Sequence, residues 1–166
     1  MSESSAGVQR DAVTAYVALG ANLGDAVLAV RDAMNAMDTL PEVRVLRRSS
    51  LYRSAPVDSS GPNYVNAVVQ VSTTLSAPDL LTQLQMLETA SGRERPYRNA
   101  PRTLDLDILT YGSARIDSPV LTLPHPRMAQ RAFVLMPLAE LAPHRVTADV
   151  LRAVSCQACV RLKEPV

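Results

Sequence analysis

A chain of 166 residues has room for one hydrophobic core and one domain rather than several. Hydrophobic residues make up 47% and charged residues 20%, which excludes the polar, highly charged composition of a disordered protein. A formal net charge of +1 excludes the broad basic field that gathers nucleic acid or an anionic membrane, so any polyanion must meet a local cluster of cations.

Residues 1–12 are expected to form a flexible tail and residues 13–166 a single domain. The tail lacks the basic start and apolar centre of a signal peptide, and no apolar run approaches the ~20 residues of a membrane span, so the expected compartment is the cytoplasm. Thr14 to Ala21 reads as a strand, and Asn22 to Asp25 supplies a turn and helix cap. Val27, Val30, Met34 and Met37 then recur at helical spacing, and Leu40-Pro41 ends that helix. A second strand covers Val43 to Arg53, followed by a turn-rich loop from Ser54 to Asn63.

Tyr64 to Ser72 is the cleanest strand. Val65, Ala67, Val69 and Val71 share one face, and Tyr64, Asn66 and Gln70 share the other, which is the candidate working surface. Ser76, Pro78 and Asp79 open a second helix with Leu80, Leu84 and Leu87 as its apolar stripe, and Gly92 ends it. A basic loop leads into the strand TLDLDILTY. Strand, helix, strand, strand, helix, strand is the order of an α+β, ferredoxin-like βαββαβ fold, an antiparallel sheet with helices on one face. Near the C-terminus, Cys156 and Cys159 form a lone CxxC without the further ligands of a zinc site, and read as incidental thiols on a terminal helix.

The chemistry concentrates in RTLDLD, Arg102 to Asp107. Strand alternation sends Leu104, Leu106 and Ile108 into the core and Asp105 and Asp107 together out of the opposite face. Two neighbouring carboxylates repel unless solvated or sharing a cation, and an oxygen pair suits one Mg²⁺ ion or two, which take further ligands from water and substrate phosphates. A wet edge strand explains a bare DxD better. Arg93, Arg95, Arg98 and Arg102 just upstream change that balance, because guanidinium forks match phosphate oxygens. A second polar surface follows, with His125 between Pro124 and Pro126, then Arg131 and Phe133, the only phenylalanine.

In order along the chain, GANLGD at 20–25, SLYRSAPV at 50–57, PNYVNAVV at 62–69, GRER at 92–95, APRTLDLDIL at 100–109 and the LPHPRM…FVLMPL block at 123–138 resemble 6-hydroxymethyl-7,8-dihydropterin pyrophosphokinases. The resemblance runs from about residue 14 to 144. It implies transfer of pyrophosphate from ATP to the hydroxymethyl oxygen of the pterin by attack on the β-phosphorus, giving AMP and the pterin diphosphate for folate biosynthesis. It further implies two Mg²⁺ ions held by Asp105 and Asp107, with Arg93 and Arg102 acting on phosphates during transfer.

The same resemblance assigns the pterin to Tyr64 and Phe133 as stacking faces, Asn66 as the edge-reading amide, and the backbone of Ser54, Ala55 and Val57. It assigns the nucleotide to Gln85, Glu88, Arg93, Arg95, Arg102, Ile108, Thr122, His125 and Arg131. ATP and the pterin are the expected partners, with no nucleic acid, no membrane and a monomer as the working unit. This chain departs from the usual family pattern at Ala21, Asn99, Val120 and Pro126, where serine, tryptophan, arginine and tyrosine are frequent.

Two other readings compete. A noncatalytic ferredoxin-like module binding RNA or a regulatory ligand explains the element order but leaves Asp105 and Asp107 unexplained, and an RNA-binding sheet wants exposed aromatics and a basic surface. A DxD nucleotidyl or sugar transferase leaves the pterin-shaped set of Tyr64, Asn66 and Phe133 unexplained.

Overall fold

The computed structural model describes residues 10–55, 62–91 and 104–163. A six-stranded antiparallel sheet runs β5–β1–β4–β3–β8, with β2 alongside β4 next to β3. Its strands are β1 (Val13–Ala21), β2 (Val43–Arg48), β3 (Tyr52–Ser54), β4 (Tyr64–Thr73), β5 (Asp105–Tyr111) and β8 (Cys159–Arg161). A two-stranded ribbon, β6 (Ile116–Asp117) with β7 (Thr122–Leu123), stands apart from it. No helix among the described residues is long and apolar enough to cross a membrane.

Helix α1 (Ala26–Met37) starts where the Asp25 carboxylate accepts from the Leu28 amide at 3.1 Å, so the turn after β1 satisfies one of the helix's orphan donors. It buries Val30, Ala33, Met34 and Met37. Helix α2 (Ala77–Ser91) begins similarly, with the Ser76 hydroxyl accepting from the Asp79 amide at 3.2 Å, and buries Leu80 and Leu84. Both pack on the face of the sheet that carries Val65, Ala67, Val69 and Val71.

Helices do not lie on one face only. Helix α3 (Ala132–Leu141) covers the other face, where Tyr16, Val68 and Leu109 form a second core with Leu135, Leu138 and Leu141. The expectation of a one-sided sheet fails because α3 is apolar nearly all round, so it shows no stripe in the sequence and needs a sheet face to bury it. Val68, on the presumed working face of β4, is fully buried beneath it. Only the Tyr64–Asn66 end of that face is left to a cavity.

The strand expected over residues 43–53 is broken into β2 and β3. The hydroxyl of Ser49 accepts from the Val68 amide at 2.9 Å and donates to the Ser50 carbonyl, taking over where the ladder lapses. Glu140 of α3 braces the break, accepting from the Ser50 amide at 3.0 Å and from the Tyr52 hydroxyl. The thiols are not on a helix either. Helix α4 (Ala148–Ala153) is only six residues long, Cys156 lies in the turn after it, and Cys159 opens β8.

Candidate active site

The site is a trough across three strands. In the register of β5, β1 and β4, Asp105 faces Gly20 and Gly20 faces Asn66; in the next row, Asp107 faces Ala18 and Ala18 faces Val68. The middle strand offers only a hydrogen atom and a methyl group there, so Asp105 and Asn66 flank an open channel about two strand spacings, or roughly 10 Å, wide. A Cβ on Gly20 would come within 3.3 Å of the Asn66 Oδ1, which explains a glycine at that position. The resulting cavity, about 370 Å³, is lined by Ala18, Leu19, Gly20, Ala55, Tyr64, Asn66, Asp105, Asp107, Leu109, His125, Arg131, Phe133 and Val134.

Asp105 and Asp107 are exposed on one face of β5, while Leu104, Leu106 and Ile108 point into the main core, as strand alternation predicts. A register shift opposite Tyr16 and Val17 then turns Leu109 to the second core, at the floor of the cavity. Glu88 of α2 accepts from the Leu106 amide at 2.7 Å, occupying a donor on the outer edge of β5.

Asn66 is 4% exposed, and its amide nitrogen donates to the Ser54 hydroxyl at 2.8 Å. The same nitrogen faces the Tyr52 carbonyl at 3.5 Å, a group that only accepts, which sets the amide's orientation and leaves its carbonyl oxygen toward Gly20. Tyr64 is half-buried on the same strand face, two residues away. Across the cavity, Phe133 sits in the first turn of α3 with the Arg131 guanidinium over its ring at 5.5 Å from the centroid.

His125 follows the cis Leu123–Pro124 bond, and its backbone amide donates to the Leu109 carbonyl at 2.9 Å, anchoring the turn to β5. Its Nδ1 accepts from the Arg127 amide at 3.2 Å, so in the neutral ring the proton is on Nε2. Burial lowers its pKa, with Arg131 and Arg127 acting the same way and Asp107 opposing them. The imidazole is therefore a neutral donor near pH 7 rather than a cation.

Of the residues singled out in the sequence, the structure gathers Ala55, Tyr64, Asn66, Asp105, Asp107, His125, Arg131 and Phe133 around one cavity. Ser54 stands behind Asn66 rather than on the lining. Ile108 turns its side chain to the main core; Gln85 and Glu88 lie on α2, and Thr122 on β7, none of them on the lining. Val57, Gly92, Arg93, Arg95, Arg98 and Arg102 lie outside the described residues. Sequence reasoning missed Ala18 and Gly20, whose signal was two small residues at alternate positions of β1.

Among the described residues, no group of three His, Cys, Asp or Glu side chains could hold a metal ion. The carboxylate pair instead fits a cation such as Mg²⁺ that completes its shell with water and a polyanionic substrate. Helix α3 covers the part of that sheet face around Tyr16, Val68 and Leu109.

A family model described as 7,8-dihydro-6-hydroxymethylpterin-pyrophosphokinase (HPPK) matches residues 16–143. The 2-amino-4-hydroxy-6-hydroxymethyldihydropteridine pyrophosphokinase of Pseudomonas aeruginosa is 47% identical over 129 residues, 77% of this chain and 80% of that protein. Its namesake in Haemophilus influenzae is 44% identical over 131 residues, 78% of this chain and 82% of that protein. A solved HPPK-DHPS of Plasmodium falciparum has the same fold, with a TM-score of 0.66 at 12% identity over 89% of this chain. The present chain covers 46% of that longer one. The chain belongs to the 7,8-dihydro-6-hydroxymethylpterin-pyrophosphokinase family, the pyrophosphokinases that act on hydroxymethyldihydropterin in folate biosynthesis.

Proposed function

We propose that this chain moves the pyrophosphoryl group of ATP to the hydroxymethyl oxygen of 6-hydroxymethyl-7,8-dihydropterin. The oxygen attacks the β-phosphorus, the bond from that phosphorus to the bridging α,β-oxygen breaks, AMP leaves, and the hydroxyl proton passes to water. The observation that carries this reading is the row Asp105–Gly20–Asn66, an exposed carboxylate and a buried amide on opposite banks of one trough.

On this reading Tyr64 and Phe133 stack on the two faces of the pterin, Asn66 pairs with its amide-like edge, and the backbone at Ser54, Ala55 and Val57 completes that edge. Asp105 and Asp107 would hold Mg²⁺, two ions on this reading, and the metal would supply neutralisation of the triphosphate charge. Arg93 and Arg102 stabilise charge developing on the transferred group, and Gln85, Glu88, Arg95, Ile108, Thr122, His125 and Arg131 surround the nucleotide. His125 can donate from Nε2 to a phosphate or ribose oxygen, and Arg131 lines the same cavity.

The core β1, α1, β2–β3, β4, α2 and β5 is read as ferredoxin-like βαββαβ, with the second strand in two pieces; the order of strands in the sheet supports this. The working unit is read as a monomer, acting in the cytoplasm without nucleic acid or membrane. The test is AMP release. It should require ATP, Mg²⁺ and the pterin together, and AMP formation at an equal rate without the pterin would overturn the assignment.

A further inference from the structure

Residues 154–162 fasten two walls of the cavity to each other, and they lie beyond the stretch matched to the family. On one side, β8 pairs with β3 so that Cys159 stands opposite Ser54, the residue whose hydroxyl holds Asn66. The Leu162 amide donates to the Leu51 carbonyl at 2.8 Å and extends that attachment. On the other side is Gln157. Its Oε1 accepts from the Ala132 amide at 2.9 Å, and its Nε2 donates to the Gln130 carbonyl at 2.8 Å.

Those two bonds straddle Arg131 and set the start of α3, where Phe133 enters the cavity. Helix α3 needs such help. Its N-cap residue is Arg131, whose side chain makes no capping bond, so a first-turn donor would otherwise be left without a partner. A side chain from 25 residues further along the chain supplies the acceptor. Gln157 is itself exposed, so burial does not account for its placement; the two bonds do.

We propose that Gln157 is a positioning residue that fixes the first turn of α3, and with it Phe133, relative to Asn66 on the opposite wall. It acts through α3 and touches no reacting atom. The inference rests on the reading of Phe133 and Asn66 as pterin contacts. A ring that stacks on a flat ligand must be held at one height and tilt, and a wall free to shift by an ångström loses that contact.

The test compares Gln157→Ala, Gln157→Glu and Thr147→Ala. The last removes the cap of α4, loosening the same C-terminal segment without touching the bonds of Gln157. Pterin affinity is measured by calorimetry with Mg²⁺ and a nonhydrolysable ATP analogue, and exchange of the Ala132 amide by NMR. Gln157→Ala should accelerate Ala132 exchange and weaken pterin about tenfold. Gln157→Glu keeps an acceptor for Ala132 but turns a carboxylate oxygen on the Gln130 carbonyl, so it should recover only part of that affinity, while Thr147→Ala should leave it at the wild-type level. Faster Ala132 exchange with unchanged pterin affinity, or an equal loss in Thr147→Ala, would overturn the inference alone. A wild-type chain that takes no pterin overturns the functional reading instead, and the Ala132 exchange still reports whether Gln157 holds α3.

Discussion

Asp105 and Asn66 stand in one row of the sheet, joined through Gly20, although they come from strands that are not neighbours. The carboxylate is exposed and the amide is almost wholly buried. That difference suits two kinds of recognition. An exposed carboxylate can exchange water for a cation, whereas a buried amide held at one end by Ser54 presents a fixed acceptor to a flat ligand.

The carboxylate pair gives the first prediction. Asp107→Ala should reduce AMP formation by at least about a thousandfold, the scale on which loss of a charge-stabilising group lowers turnover. Asp107 is exposed and strand packing does not depend on its side chain, so the circular dichroism spectrum and Tm should match the wild type. Turnover within tenfold of the wild type would remove Asp107 from the metal site.

Phe133 is only partly buried and lines the cavity, so its ring has a free face beyond the Arg131 contact. Phe133→Ala should weaken pterin binding by about 1.4–2.7 kcal/mol, roughly ten- to a hundredfold, if the ring stacks on the ligand. Nucleotide affinity should change less than threefold. Equal losses for both ligands by calorimetry would identify the ring as packing for α3.

The alternation in β4 was legible because Tyr64 and Asn66 do share a face, and both reach the cavity. The burial of Val68 on that same face was not, since a valine between polar positions says nothing about what covers it. Helix α3 escaped for a related reason: a segment buried on most sides has no polar face to set its period. Gly20 and Ala18 left only the faint signal of two small residues on one strand face, whose meaning depends on Asp105 and Asn66 standing on either side. The contact of Gln157 with Ala132 spans 25 residues, and no local pattern announces it. What the motifs carried well was geometry that stays local, as in the shared exposed face of Asp105 and Asp107.

Gly20 allows a test of the trough itself. Gly20→Ala brings a methyl group to 3.3 Å from the Asn66 Oδ1, and Asn66 cannot easily retreat while Ser54 holds its other end. Pterin affinity should fall about tenfold, or about 1.4 kcal/mol, with the sheet intact. Gly20→Val should abolish detectable pterin binding. If Gly20→Ala binds pterin as well as the wild type, the channel between Asp105 and Asn66 is not where the ligand lies.

Glu140 supplies a prediction about stability rather than catalysis. Its carboxylate accepts from the Ser50 amide at 3.0 Å and from the Tyr52 hydroxyl, and the Arg47 guanidinium donates to the Leu141 carbonyl at 2.8 Å beside it. Burial first, and the bond to Glu140 second, push the Tyr52 pKa well above its ordinary value, so the phenol stays a donor throughout the working range. Glu140→Ala leaves two partly buried donors without an acceptor, each costing about 1–3 kcal/mol. For a domain of this size, a total near ~3 kcal/mol lowers Tm by roughly 6–12 °C. Tyr52→Phe removes one donor and should cost about 1 kcal/mol, and the double variant should lose less than the sum, because both changes act on one bond. Additive losses in that cycle, measured by urea unfolding, would mean that the Tyr52–Glu140 bond does not brace the broken edge of β2 and β3.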